Sequence, residues 1–353
     1  MSVNPLAAAH VLRQLDAYDC IVDARSESEF ALDRIPGAVN WPTLTDEQRA
    51  IVGTEYTQVS PFDARKRGAT LAARNIAEHI DRELPGMGRD WRPLVYCWRG
   101  GKRSGSLALV LDQIGFKVDL LEGGYQAYRR AMLGALDEAI SGLDYHVLCG
   151  TTGSGKSRLL QVLQAQGEQV LDLEALAEHR GSVLGLVPGV EQPTQKAFDT
   201  RIWDQLRRFD AARPVWVESE SKKVGALHVP DALIAAIRKA PCWRIDLSLD
   251  ARVRLLMEDY DFFVSDIDAF CERLDALRDL RGNSVIDGWQ QAARSGAVED
   301  VVRQLLVDHY DPIYLRSIER NFAGYRDAVV LRPEDGSERA LRELAQTLVA
   351  IES

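Results

Sequence analysis

No apolar run in these 353 residues approaches the roughly 18 that a bilayer-spanning helix needs, which argues against a helical membrane protein. Met1 to Leu15 shows no charged stretch followed by an apolar block, so no secretory leader is expected. Cysteine is scarce. Cys20, Cys97, Cys149, Cys242 and Cys271 are scattered, with no CxxC pair. That speaks against a disulfide framework and against a zinc ribbon, and the expected compartment is the cytoplasm. An excess of positive charge is missing as well: the net charge of −10 would repel nucleic acid if spread evenly. Internal repeats and low-complexity tracts are absent.

With 46% hydrophobic and 27% charged residues, the chain can bury an ordinary globular core, and its length suits two domains. Basic residues do gather locally, at Arg65-Lys66-Arg67, Arg99 to Arg103, Arg129-Arg130, Arg207-Arg208 and Lys222-Lys223. A basic face on an acidic body is compatible with that pattern. So is a merely solvated surface.

The first third alternates short apolar strands with helical stretches. Cys20 to Asp23, Leu94 to Tyr96 and Val118 to Leu121 read as buried strands, and Ser104 to Ile114 as a helix. Near Ala131 to Gly142 a helix fades into Ser-Gly, and a new strand begins at Tyr145. The expected boundary therefore separates residues 1–138 from 139–353. The second part repeats the rhythm, with strands at His146 to Leu148, Val170 to Leu173, Val215 to Val217, Trp243 to Leu247 and Ala328 to Leu331. Residues from about 250 to 325 read as mostly helical. The expected class is α/β: a parallel-sheet domain followed by a P-loop NTPase-like α/β domain with helical additions.

Gly150-Thr151-Thr152-Gly153-Ser154-Gly155-Lys156-Ser157 fits GxxxxGK[ST], after an apolar strand and before a helix. The glycines let backbone N–H groups converge on phosphate oxygens, and the helix N-terminus adds positive potential. Lys156 neutralises a terminal phosphate, and Ser157 is placed to hold Mg²⁺. A Walker-B strand normally ends in Asp; here Val215-Trp216-Val217 ends in Glu218. The site suits a nucleotide or any ligand with a diphosphate tail.

Tyr96-Cys97-Trp98-Arg99-Gly100-Gly101-Lys102-Arg103-Ser104 also joins a strand to a helix. Loop N–H groups, a helix N-terminus and the nearby Arg99, Lys102 and Arg103 all favour thiolate over thiol at Cys97. The other cysteines read as packing residues. Cys97 followed by Arg103 is C-x5-R, the pattern of cysteine phosphatases. Chalcogen transfer fits the same loop, and the loop alone does not choose.

Asp23-Ala24-Arg25-Ser26-Glu27-Ser28-Glu29-Phe30, Ile35-Pro36-Gly37-Ala38-Val39-Asn40, the Cys97 loop and Glu122-Gly123-Gly124-Tyr125 together resemble a rhodanese domain. The arginine stands one residue farther from the cysteine than in ordinary single-domain rhodaneses. Fused to a P-loop domain, the chain resembles the bacterial tRNA 2-selenouridine synthases from Val22 to about Tyr260. The resemblance includes Val52-Gly53-Thr54, Asp172-Leu173-Glu174, His179-Arg180-Gly181-Ser182, Gln192-Pro193-Thr194-Gln195 and Trp216 to Ser221.

The resemblance implies a tRNA-modifying transferase. It would S-geranylate 2-thiouridine at the wobble position with geranyl diphosphate, then replace the geranylthio group with selenium from selenophosphate. Gly150, Gly153, Ser154, Gly155, Lys156, Ser157 and Glu218 would hold the diphosphate. Cys97 would carry the chalcogen, with Arg99 and Arg103 stabilising anionic groups. Trp98, His179, Arg180, Gln192, Gln195 and Lys222 are candidate substrate or tRNA contacts. No tightly bound cofactor is expected, and Ser157 is a candidate Mg²⁺ ligand. The competing readings are a rhodanese-type sulfurtransferase coupled to an NTP-binding domain, a C-x5-R phosphatase, and a nucleotide-switched binding module.

Overall fold

Central strands buried on both faces, with more exposed strands at most edges, build two parallel sheets, as expected where helices cover each side. The computed structural model describes residues 3–179, 190–259 and 266–352. These form two compact units: Met1–Glu138 with Pro193–Asp204, and Ala139–Gln192 with Gln205–Ser353.

The first unit holds β1 (Asn4–Leu6), β2 (Cys20–Asp23), β3 (Ala38–Asn40), β4 (Pro93–Tyr96) and β5 (Asp119–Leu121), ordered β1-β5-β4-β2-β3. All pairings are parallel. Strand β4, buried throughout, carries the cysteine loop at its C-terminal end. Two helices missing from the sequence reading, Asp46–Gln58 and Pro61–Glu83, fill the stretch between β3 and β4. The first buries no residue at all, and the second only Ala64, Asn75, Ile76 and His79. Thr45 and Ser60 start them by accepting from the N–H groups of Gln48 and Asp63. At the end of β2, Asp23 and Arg25 form an ion pair, 2.6 Å apart and almost fully buried.

The second unit holds β6 (Tyr145–Cys149), β7 (Gln169–Leu171), β8 (Val215–Glu218), β11 (Pro241–Ile245) and β12 (Gly324–Leu331), in the order β12-β11-β6-β8-β7. A short antiparallel hairpin of β9 (Lys223–Val224) and β10 (Leu227–His228) stands apart from that sheet. Strand β7 stops before the predicted Leu173. The Asp172 carboxylate accepts from the Ala175 N–H and starts a helix at Leu173–Leu176 instead. The helical region opens with Leu249–Asp259 and closes with Asp311–Asn321. It has a core of its own, including Phe270, Leu274, Trp289 and Val301. No helix among the described residues is long and apolar enough to cross a membrane.

Candidate functional site

Cys97 lies just past β4 and is 3% exposed. Its Sγ accepts from the Gly101 N–H at 3.3 Å and from Ser104 Oγ at 3.1 Å. Both donors belong to the start of the helix Lys102–Ile114, whose positive end stands over the sulfur. The arginines do not divide as the sequence suggests. Arg103 forms an ion pair with Glu29 at 2.6 Å, so its charge is already matched. Arg99 is exposed and reaches Gln126 Oε1 at 3.3 Å. Lys102 is exposed too. The clamp that a C-x5-R phosphatase needs is therefore tied to a carboxylate.

Two glycines set this loop against the start of the helix Gly124–Ser141. The Tyr125 N–H donates to the Cys97 carbonyl at 2.7 Å, and the Gln126 N–H to that of Trp98 at 3.2 Å. A Cβ on Gly124 would fall on the Cys97 carbonyl oxygen and lie 2.5 Å from Gly100 N, at a φ of +57°. Trp98 stacks on Tyr125, their centroids 5.4 Å apart, and the buried Arg25 guanidinium lies 4.2 Å from the Tyr125 centroid. Tyr125 Oη in turn donates to Asp33 at 2.6 Å. Thus Trp98, a candidate base contact, is held within the fold on one face.

Gly124→Ala is accordingly expected to destabilise by more than the roughly 1–2 kcal/mol of left-handed backbone strain, because a main-chain oxygen must also move. Gly105→Ala, in the helix Lys102–Ile114 with nothing within 4 Å of its Cβ, should be neutral or stabilising by about 0.5–1 kcal/mol. Thermal melts of the two variants check this; equal melting temperatures would remove the steric argument.

In the second unit the P-loop joins β6 to the helix Lys156–Ala165, with Gly153 and Gly155 at φ +75° and +86°. The helical region grips it closely. Arg252 donates to the Thr152 carbonyl at 2.9 Å and pairs with Asp311 at 2.6 Å. Tyr314 Oη accepts from the Gly150 N–H at 2.8 Å and shares a hydrogen bond with Ser219 Oγ at 2.8 Å. Lys156 Nζ donates to the Gly150 carbonyl at 2.9 Å. Ser154 Oγ is buried without a partner among the described residues.

Glu218, at the end of β8, is 3% exposed rather than a solvated strand end. Glu174 and Glu220 join it, and Ser157 Oγ donates to Glu174 at 3.3 Å. Burial, then the charges of Glu218 and Glu220, push Glu174 up to about 9. Burial and Glu218 push Glu220 up to about 8. Burial also raises Glu218, against the opposing pull of Lys156. These groups open on a cavity of about 790 Å³ that Leu255, Leu256, Leu280, Ile313, Ile318 and Phe322 also line.

His179 lines the same cavity; burial lowers its pKa, and Nδ1 has no partner among the described residues. Arg180 lies outside the described residues. Gln192 corrects an expectation. Its amide nitrogen donates to the carbonyls of Ala177 and Val224 and its oxygen accepts from the Ala226 N–H, so it fastens the β9–β10 hairpin. Gln195 donates to Asp199 at 2.8 Å, within the first unit. Lys222 is exposed at the edge of that hairpin. Sequence reading missed Glu174 and Glu220 as site groups, though both stand in quoted motifs. It also missed Tyr314 and Arg252, for which no motif gave a signal.

Comparison with known proteins agrees with both halves of this arrangement. Residues 7–131 match the rhodanese-like domain, and residues 143–281 match the AAA domain of tRNA 2-selenouridine synthase. A tRNA 2-selenouridine synthase from Alcanivorax borkumensis is 32% identical over 326 residues, 83% of this chain and 88% of that protein. One from Marinobacter nauticus is 29% identical over 83% of this chain and 87% of its own length. One from Nitrosomonas europaea is 35% identical over 68% of this chain and 63% of its own length. With a cysteine loop on one sheet, a P-loop on the other and such likeness along most of its length, the chain belongs to the tRNA 2-selenouridine synthase family.

Proposed function

We propose that this enzyme converts 2-thiouridine at the tRNA wobble position to 2-selenouridine in the cytoplasm, by way of a geranylated intermediate. In the first step the thiouridine sulfur attacks the first carbon of geranyl diphosphate, and diphosphate leaves. In the second, the selenium of selenophosphate attacks C2 of the ring and the geranylthio group leaves as geranylthiol, after which water cleaves the P–Se bond and releases phosphate. Alkylation turns a poor leaving group into a better one, which gives the order of steps.

One observation carries the first step. The P-loop cavity is walled by apolar side chains, two of which, Leu280 and Ile313, are 65% and 47% exposed. Apolar surface open to a cavity gains on the order of 25 cal/mol per Å² when hydrocarbon covers it. A branched ten-carbon tail suits that wall, while Lys156 and the loop N–H groups suit the diphosphate. The second step is assigned to Cys97, whose sulfur sits beneath a helix N-terminus with Arg99 and Lys102 exposed nearby.

Nucleoside mass spectrometry on 2-thiouridine tRNA incubated with geranyl diphosphate, with and without selenophosphate, tests the reading. The expected products are geranylthiouridine alone without selenophosphate and selenouridine with it. No modified nucleoside from folded protein would sink the proposal. ATP or GTP turnover with sulfur transfer would favour the NTP-coupled sulfurtransferase.

A further inference from the structure

Alkylating 2-thiouridine on sulfur turns its C2=S group into a thioether and closes a C2=N3 double bond, so the N3–H proton must leave. A base in the P-loop cavity would take it, and the groups lining that cavity differ in their fitness for the task. Asp172 caps a helix, and Asp259 is paired with Arg158. Burial and the neighbouring carboxylates push Glu174 up to about 9 and Glu220 up to about 8, so both hold their own protons near neutral pH. Burial raises Glu218 as well. His309 accepts at Nδ1 from Arg281 Nε at 3.1 Å. An arginine N–H only donates, so the His309 hydrogen sits on Nε2 and that ring serves as a donor.

His179 is placed differently. It lines the cavity, is 7% exposed, and its Nδ1 has no hydrogen-bond partner among the described residues. Burial, then the charge of Arg273, lowers its pKa, so near neutral pH the ring is uncharged and keeps a lone pair to offer. The chain builds this placement. After the helix Leu173–Leu176, Glu178 adopts a φ of +52°, the only non-glycine residue in the left-handed region among the described residues. The His179 N–H then closes on the Glu174 carbonyl at 3.0 Å. Glycine is the usual residue at such a helix end. A glutamate held there is strain of the kind that gathers at functional sites.

We propose that His179 is the general base of the geranylation step, taking the N3 proton of 2-thiouridine as its sulfur attacks the first carbon of geranyl diphosphate. The N3–H electron pair becomes the C2=N3 bond, and the C2=S pair moves to sulfur, which forms the new S–C bond. The C–O bond of geranyl diphosphate breaks, and diphosphate leaves with that pair. The imidazolium later yields its proton to water. The inference rests on the reading that geranyl diphosphate alkylates the tRNA in this cavity.

The test is the rate of geranylthiouridine formation by the full chain across neutral and alkaline pH, with inorganic pyrophosphate binding measured by calorimetry. His179→Ala and His179→Gln should each slow the step about 100-fold or more near neutral pH, and both should bind pyrophosphate as the wild type does. Added imidazole should restore part of the rate to His179→Ala. Both deficits should narrow at alkaline pH, where N3 ionises unaided. Full activity in either folded variant overturns the assignment. So does a loss that neither imidazole nor alkaline pH relieves, which marks a structural role. Wild type that binds pyrophosphate yet forms no geranylthiouridine removes the alkylation reading, and the base with it.

Discussion

Cys97→Ala should abolish selenouridine formation and let geranylthiouridine accumulate, with the rate of geranylation little changed. The sulfur is the one nucleophile in its loop, held by Gly101 N–H and Ser104 Oγ. Alanine keeps the backbone hydrogen bonds that fix the loop, since the Tyr125 and Gln126 N–H groups bind its carbonyls and not its side chains. The P-loop belongs to a separate compact unit with its own sheet, so the diphosphate end of the reaction has no reason to fail. Nucleoside mass spectrometry over time reads both products from one tube. Cys97→Ser gives a second variant that preserves volume and polarity. Equal loss of both steps in both variants, from protein with wild-type melting behaviour, would show that one site performs both reactions.

The same loop bears on the phosphatase alternative. A phosphate clamp needs a guanidinium free to bind two oxygens, and Arg103 is matched by Glu29, itself fixed to Ser26 in a capping box. The spacing C-x5-R is present, yet the group that would give it meaning is already in use.

The sequence was readable wherever one local pattern decides the outcome. β2, β4, β6 and β8 are short, mostly apolar and bounded by loops, so their burial follows largely from composition. The P-loop was readable because its chemistry lies within eight consecutive residues. The helices Asp46–Gln58 and Pro61–Glu83 were missed although their capping signals are present: the first buries no residue, and the second sets only Ile76 and Ile80 against the core over its 23 residues. The pieces of the second site come from four stretches far apart in sequence, which only the sheet order β6-β8-β7 and the helical region bring together. Glu174 and Glu220 read as ordinary charges until that order is known. Gln192 shows the converse. Its motif made it a candidate substrate or tRNA contact, while three main-chain groups already use its amide. Pro193–Asp204, inside the second domain by sequence order, gathers with the first unit. There Arg129 donates to the Lys196 carbonyl, and Thr200 to Asp33.

Lys156→Ala should behave as the mirror image of the cysteine variants. Its ammonium donates to the Gly150 carbonyl and lies over the Tyr314 ring, and would turn to the diphosphate when the cavity fills. A hydrogen bond to a charged group contributes about 1.5–3 kcal/mol, or roughly 10- to 150-fold in affinity. Charge developing on the departing diphosphate adds to the loss in rate. Geranylation should therefore fall by about two orders of magnitude or more, and selenouridine from 2-thiouridine tRNA should fall with it, since the second step consumes the first product. Supplied with tRNA already geranylated, Lys156→Ala should still make selenouridine, whereas Cys97→Ala should not. Mixing the two variants on 2-thiouridine tRNA should restore product if the intermediate is released between steps. If Lys156→Ala also fails on geranylated tRNA while remaining folded, the P-loop takes part in the selenium step, and the assignment of one reaction to each loop falls.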